Sequence, residues 1–69
     1  MRPVKKRELM RQLAAIARVG GVDLRLLREG RNHEIWMVGS ERLVIPRHRE
    51  INEHTARGIL AEAGKMVEP

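Results

Sequence analysis

The sequence predicts an α+β domain of element order α-β-β-β-α, a three-stranded antiparallel sheet with both helices on one face. Three observations predict it. Apolar helical stripes stand near the two ends of the chain, on Leu9, Leu13 and Ile16 and again on Ala56, Ile59, Leu60 and Ala63. Between them lie three segments with strand-like alternation. The last two of these are joined by Gly39-Ser40, a two-residue pair that favours a tight hairpin. Placing both helices on one sheet face is the simplest way to bury all the stripes.

The first helix is expected from about Lys5 to Ala17. Leu9, Leu13 and Ile16 fall at i, i+4 and i+7, and Met10 and Ala17 widen their stripe. Gly20-Gly21 stops the helix, since helix ends commonly use a left-handed residue. In the first strand Val22, Leu24 and Leu26 alternate with Asp23 and Arg25. The second runs from about His33 to Val38 and the third from Glu41 to Ile45. Pro46 ends the third, because proline has no amide hydrogen to give to a ladder. The last helix begins near Asn52, a good N-cap, with Ile51 and Ala56 at the spacing of a hydrophobic staple and Gly64 placed to end it.

A two-residue turn also fixes register. Val38 then faces Glu41, Met37 faces Arg42, Trp36 faces Leu43, Ile35 faces Val44, Glu34 faces Ile45 and His33 faces Pro46. Trp36, Val38, Leu43 and Ile45 share the face richer in apolar bulk, which is expected beneath the helices. His33, Ile35, Met37, Arg42 and Val44 share the open face. Ile35, Met37 and Val44 there would make an exposed apolar patch, the kind of surface that marks binding.

Composition narrows the function. Residues 1–69 make a single small domain with a thin core, and without cysteine it has no disulfide to staple it. No apolar run approaches the length of a membrane span, and Met1-Arg2-Pro3 leads into charged sequence, so a soluble cytoplasmic protein without membrane attachment is expected. Fourteen basic residues stand against nine acidic ones, a net charge of +5, and eleven of the fourteen are arginine. The planar guanidinium suits phosphate oxygens, and a positive field on a small body draws in polyanions.

The chemistry-bearing residues gather at one end of the predicted hairpin. Arg31 and Asn32 precede His33, while Arg47, His48 and Arg49 follow Pro46, the residue placed opposite His33. If the chain stays extended, His48 shares the facing of His33 and lies close to it. RNA cleavage needs a base for the 2′-hydroxyl proton and a donor for the departing 5′-oxygen, and imidazole suits both tasks. Arginines can hold the phosphate. A lone histidine at a strand start is more often a surface or packing residue, and His54 reads as plain surface. No HxxxH or HExxH spacing appears, so neither a metal nor another cofactor is expected. Trp36 is the only aromatic residue, which leaves no aromatic platform for bases.

The order α-β-β-β-α resembles the double-stranded-RNA-binding fold, and from about Lys6 to Lys65 the chain resembles the HicA family of bacterial toxin–antitoxin systems. The resemblance is carried by Arg7-Glu8-Leu9, by the segment from Arg28 to Trp36, by Val44-Ile45-Pro46-Arg47-His48, and by the segment from Ile51 to Leu60 with Ala63-Gly64. It implies a toxin that cleaves messenger RNA, arresting translation and growth, with His33 as the catalytic histidine. The family's motif is a glycine, usually a serine, then that histidine. Here Asn32 stands at the serine position, and Arg31 separates it from Gly30. His48 matches a Pro-x-His segment and is a possible second acid or base. Arg31, Asn32, Arg47 and Arg49 are expected to bind RNA. The resemblance further implies a HicB-type antitoxin, docked on Ile35, Met37 and Val44, through which operator DNA would be met only indirectly. Two other readings stay open: an RNA-binding module of the same fold without chemistry, and an interaction subunit whose sheet face serves a partner.

Overall fold

The computed structural model describes residues 2–67. Its elements are β1 (Pro3–Lys5), α1 (Lys6–Gly20), β2 (Leu24–Glu29), β3 (His33–Val38), β4 (Glu41–Pro46), β5 (Glu50–Asn52) and α2 (Glu53–Met66). The α+β class and the three-stranded antiparallel sheet, ordered β2-β3-β4, are those the sequence predicts. A second sheet was not expected: β1 pairs antiparallel with β5, Val4 opposite Ile51. Met1, Glu68 and Pro69, part of the 1–69 domain expected from sequence, lie outside the described residues.

The β3–β4 hairpin follows from its turn. Gly39 has φ 62°, and no non-glycine residue has positive φ among those described, so only the first turn position needs glycine's freedom. The resulting pairs run from Val38 opposite Glu41 to His33 opposite Pro46, the register read from the sequence. Val38, Leu43 and Ile45 are buried, with Trp36 half-buried beside them. This is the face the helices cover. Leu9 and Leu13 of α1 and Ala56, Ile59 and Ala63 of α2 join Val38, Leu43, Ile45 and Ile51 in one core cluster. Leu9, Leu13, Leu43 and Ile45 are its largest fully buried side chains.

Element ends differ from the sequence reading in informative ways. The segment ahead of α1 is spent on β1, so the helix starts at Lys6 and then runs past Ala17 to Gly20, with left-handed Gly21 as its cap. Helix α2 continues through Gly64 to Met66, where Met66 and Val67 still pack on the core. Apolar contact beyond the glycine outweighs its weak helix propensity. Asn52 caps α2 as expected, its side chain accepting the His54 amide at 2.8 Å.

Strand β2 is displaced from the expected Val22–Leu26 and carries a bulge. Leu26 lies opposite Trp36, yet Arg28 lies opposite Ile35, so Leu27 is inserted in the ladder. An inserted residue reverses the facing of those that follow it. Arg28 would otherwise continue the inward row of Leu24 and Leu26. Past the bulge it shares the open face with Ile35 and Val44.

Candidate active site

His33 opens β3 and is exposed. Its carbonyl accepts the Gly30 amide at 2.8 Å, closing a tight loop through Arg31 and Asn32 at the end of the β2–β3 hairpin. A shallow depression of about 430 Å³ lies at this end of the sheet. Arg28, Arg31, Asn32 and His33 line it together with Ile35 and Val44. Three of the residues expected to cut or bind RNA therefore meet in one place, His33, Arg31 and Asn32, beside Ile35 and Val44 of the expected docking strip. Arg28 was not among them. The alternation read from the sequence stops at Leu26, so Arg28 lies beyond the expected strand and is given no facing.

Arg47 and Arg49 occupy a different place. They line a groove of about 950 Å³ with Lys5, Lys6, Arg7 and Glu50, where the start of α1 meets the chain leaving β4. Arg47 also reaches toward the His33 loop. Its guanidinium donates to the Gly30 carbonyl at 2.7 Å, and its amide donates to the Asn32 carbonyl at 3.0 Å. It thus holds the loop on which Arg31 and Asn32 ride. His48 is exposed and lines neither concavity, since β4 ends at Pro46 and the chain leaves the extended path assumed for it. His54 is exposed at the start of α2.

The residue that sequence reasoning missed outright is Glu34. It is the one buried charged side chain among those described. Lys6 Nζ stands 2.7 Å from its Oε2, the Trp36 indole donates to Oε1 at 2.9 Å, and Arg47 Nε lies 3.9 Å away. Burial pushes the Glu34 carboxyl up. Hydrogen bonds from Lys6 and Trp36, with the charges of Lys6 and Arg47, outweigh burial and hold it below its ordinary value. The carboxylate thus makes a charge contact with Arg47, the side chain that bonds the His33 loop.

The open face carries more charge than the sequence suggested. Arg25 and Arg42 lie opposite Met37 from either side, and Arg28 and Val44 lie opposite Ile35. Val44 is exposed, Ile35 and Met37 are half-buried, and the arginines fringe this apolar strip. Among the described residues, no helix is long and apolar enough to cross a membrane. No group of three or more His, Cys, Asp or Glu placed to hold a metal occurs among them. No protein-family model, curated protein or solved structure matches the chain.

Proposed function

We propose that the chain is an endoribonuclease of the HicA toxin type, cutting messenger RNA at the depression that His33 shares with Arg28, Arg31 and Asn32. The observation that carries this reading is the company His33 keeps. An exposed imidazole and two guanidinium-bearing residues line one concavity on a basic protein. In the proposed reaction the arginines hold the scissile phosphate and offset the charge that builds on its oxygens. His33 takes the 2′-hydroxyl proton, the 2′-oxygen attacks phosphorus, and the bond to the 5′-oxygen breaks. Water at the exposed rim supplies the proton that the departing 5′-oxygen needs. His33, the two arginines and water suffice for this scheme, which calls on no cofactor or metal. A cytoplasmic setting fits a messenger substrate.

The proposed protein partner is a HicB-type antitoxin seated on the open face. The strip of Ile35, Met37 and Val44 gives it an apolar contact, and the arginines around the strip favour an acidic rim on the partner. Such a partner would cover His33 as well, and operator DNA would be reached only through it.

The test is expression of the intact chain and of His33→Ala in a bacterial host, following growth and messenger integrity. Growth arrest with RNA loss from the intact chain alone supports the reading, with a cleavage defect of about 10²–10⁴-fold for a lost acid or base. Equal arrest from both moves the chemistry away from His33. A second reading, an RNA-binding module without chemistry, has one observation in its favour: no side-chain hydrogen bond orients the His33 imidazole among the described residues. Binding without cleavage, unchanged in His33→Ala, would decide for it.

A further inference from the structure

We infer that the groove between the start of α1 and the β4–β5 connection is a second RNA-backbone site, which holds phosphates of the same strand that lies over His33. The identity of the polyanion rests on the ribonuclease reading above. The groove itself rests on its own observations.

Five cations line it, Lys5, Lys6, Arg7, Arg47 and Arg49, against one acid, Glu50. Lys6 and Arg47 face Glu34. Lys5, Arg7 and Arg49 are exposed and have no carboxylate within 4.0 Å among the described residues. These three come from β1, α1 and the β4–β5 connection. The backbone fixes them around one space, because the Lys6 amide donates to the Arg49 carbonyl at 2.7 Å. Three cations without a carboxylate partner among the described residues, spread over an open groove of about 950 Å³, suit a ligand bearing several phosphates better than a single small anion. No aromatic side chain lines the groove, so it would grip the backbone and leave the bases unread.

Arg47 joins the groove to the catalytic depression. It lines the groove, while its guanidinium and its amide bond the carbonyls of Gly30 and Asn32, two residues that line the depression. The two concavities therefore lie on either side of one arginine. A strand crossing Arg47 can fill both, with its scissile phosphate beside Arg28 and Arg31.

The test measures binding of a fluorescent 2′-O-methyl RNA, which lacks the attacking hydroxyl, across a potassium chloride series. Lys5→Gln/Arg7→Gln/Arg49→Gln is compared with Arg11→Gln/Arg18→Gln/Arg57→Gln, which has the same net charge. Circular dichroism first checks that both variants keep the parent's helix content. The groove variant should bind at least tenfold more weakly at low salt, and its log–log salt slope should fall by about 2, from about 0.7 per lost phosphate contact on a single strand. The control variant should change affinity less than twofold. With cleavable RNA the groove variant should raise KM and leave kcat unchanged. Equal losses in the two variants would overturn the inference. So would an intact chain that binds no RNA, which would turn attention to an acidic protein segment as the occupant. RNA binding that depends on the groove, in a chain that cleaves nothing, would overturn the ribonuclease reading while supporting the groove. His33-dependent cleavage with no groove effect would do the reverse.

Discussion

Lys6 Nζ and Glu34 Oε2 stand 2.7 Å apart, tying the first turn of α1 to the second residue of β3. The pair links two parts of the chain that carry different halves of the basic surface. Lys6 lines the groove, and Glu34 follows His33 directly in the chain.

Acid stability should depend on this carboxylate. The native Glu34 pKa lies below the ordinary 4.5, so the folded state binds its proton less readily than the unfolded chain does. Its contribution is complete above about pH 4.5 and is lost as pH falls through the lower native value. Glu34→Gln should destabilise the protein by about 1–3 kcal/mol at neutral pH, because it removes a buried charged acceptor from the half-buried donors Lys6 and Trp36. It should also flatten the acid limb of stability. Urea melts at neutral pH and down a series to about pH 3 would show both effects; an unchanged acid limb would contradict the assignment.

Arg47→Lys keeps the charge and loses the fork. An ammonium cannot reproduce a guanidinium that donates to the Gly30 carbonyl at 2.7 Å while its Nε stands 3.9 Å from Glu34. Amide exchange at Gly30 should quicken, and the proposed His33-dependent cleavage should fall about tenfold through a looser loop. Global stability should change by less than about 1 kcal/mol, since the Arg47 side chain is 42% exposed. Hydrogen exchange and single-turnover cleavage separate these expectations, and unaltered exchange at Gly30 would remove the positioning role.

Leu43→Ala should cost about 2–5 kcal/mol, from lost burial and the cavity left beneath the helices. Leu43 is 1% exposed, whereas its neighbour Val44 is 53% exposed. Val44→Ala should therefore change stability by less than about 1 kcal/mol. It should instead weaken any antitoxin docked on the open face. Thermal melts of the two variants, read side by side, check which sheet face is buried.

Asn52→Ala should destabilise α2 by about 1 kcal/mol through loss of the bond to the His54 amide, and Asn52→Asp should restore most of it. Chemical denaturation of the three proteins measures the effect. Equal stability of the alanine and aspartate variants would mean that the cap is dispensable.

The contrast between β2 and the β3–β4 hairpin explains what could be read in advance. A two-residue turn at Gly39-Ser40 leaves a single register, and a side-chain period of two then assigns both faces. Hence Leu43 and Ile45 could be placed in the core and His33 on the open face. In β2 the alternation is readable only as far as Leu26, and nothing in it marks the residue inserted at Leu27. Arg28, beyond that point, reaches the depression only because the bulge turns it to the open face. The β1–β5 pairing was illegible for another: Pro3–Lys5 has one apolar residue that packs on the core, Val4, and its partner Ile51 lies near the far end of the chain. Without that pairing nothing indicated that Lys6 would approach Glu34, or that Lys5 and Arg7 would share a groove with Arg49. Arg31, Asn32 and His33 were legible as a cluster because they are consecutive.

The two-stranded sheet of β1 and β5 ties folding to ligand binding by thermodynamic linkage. Each strand has three residues and a single partner, so this clasp should breathe at a lower free energy than the sheet that carries Leu43. Each opening breaks the bond between the Lys6 amide and the Arg49 carbonyl and parts the walls of the basic groove. A polyanion spanning those walls, as inferred above, would bind the closed clasp only. Its occupancy therefore slows amide exchange at Val4 and Ile51 in proportion to its concentration over its Kd, so the rhythm of the clasp would report a ligand that never touches either residue.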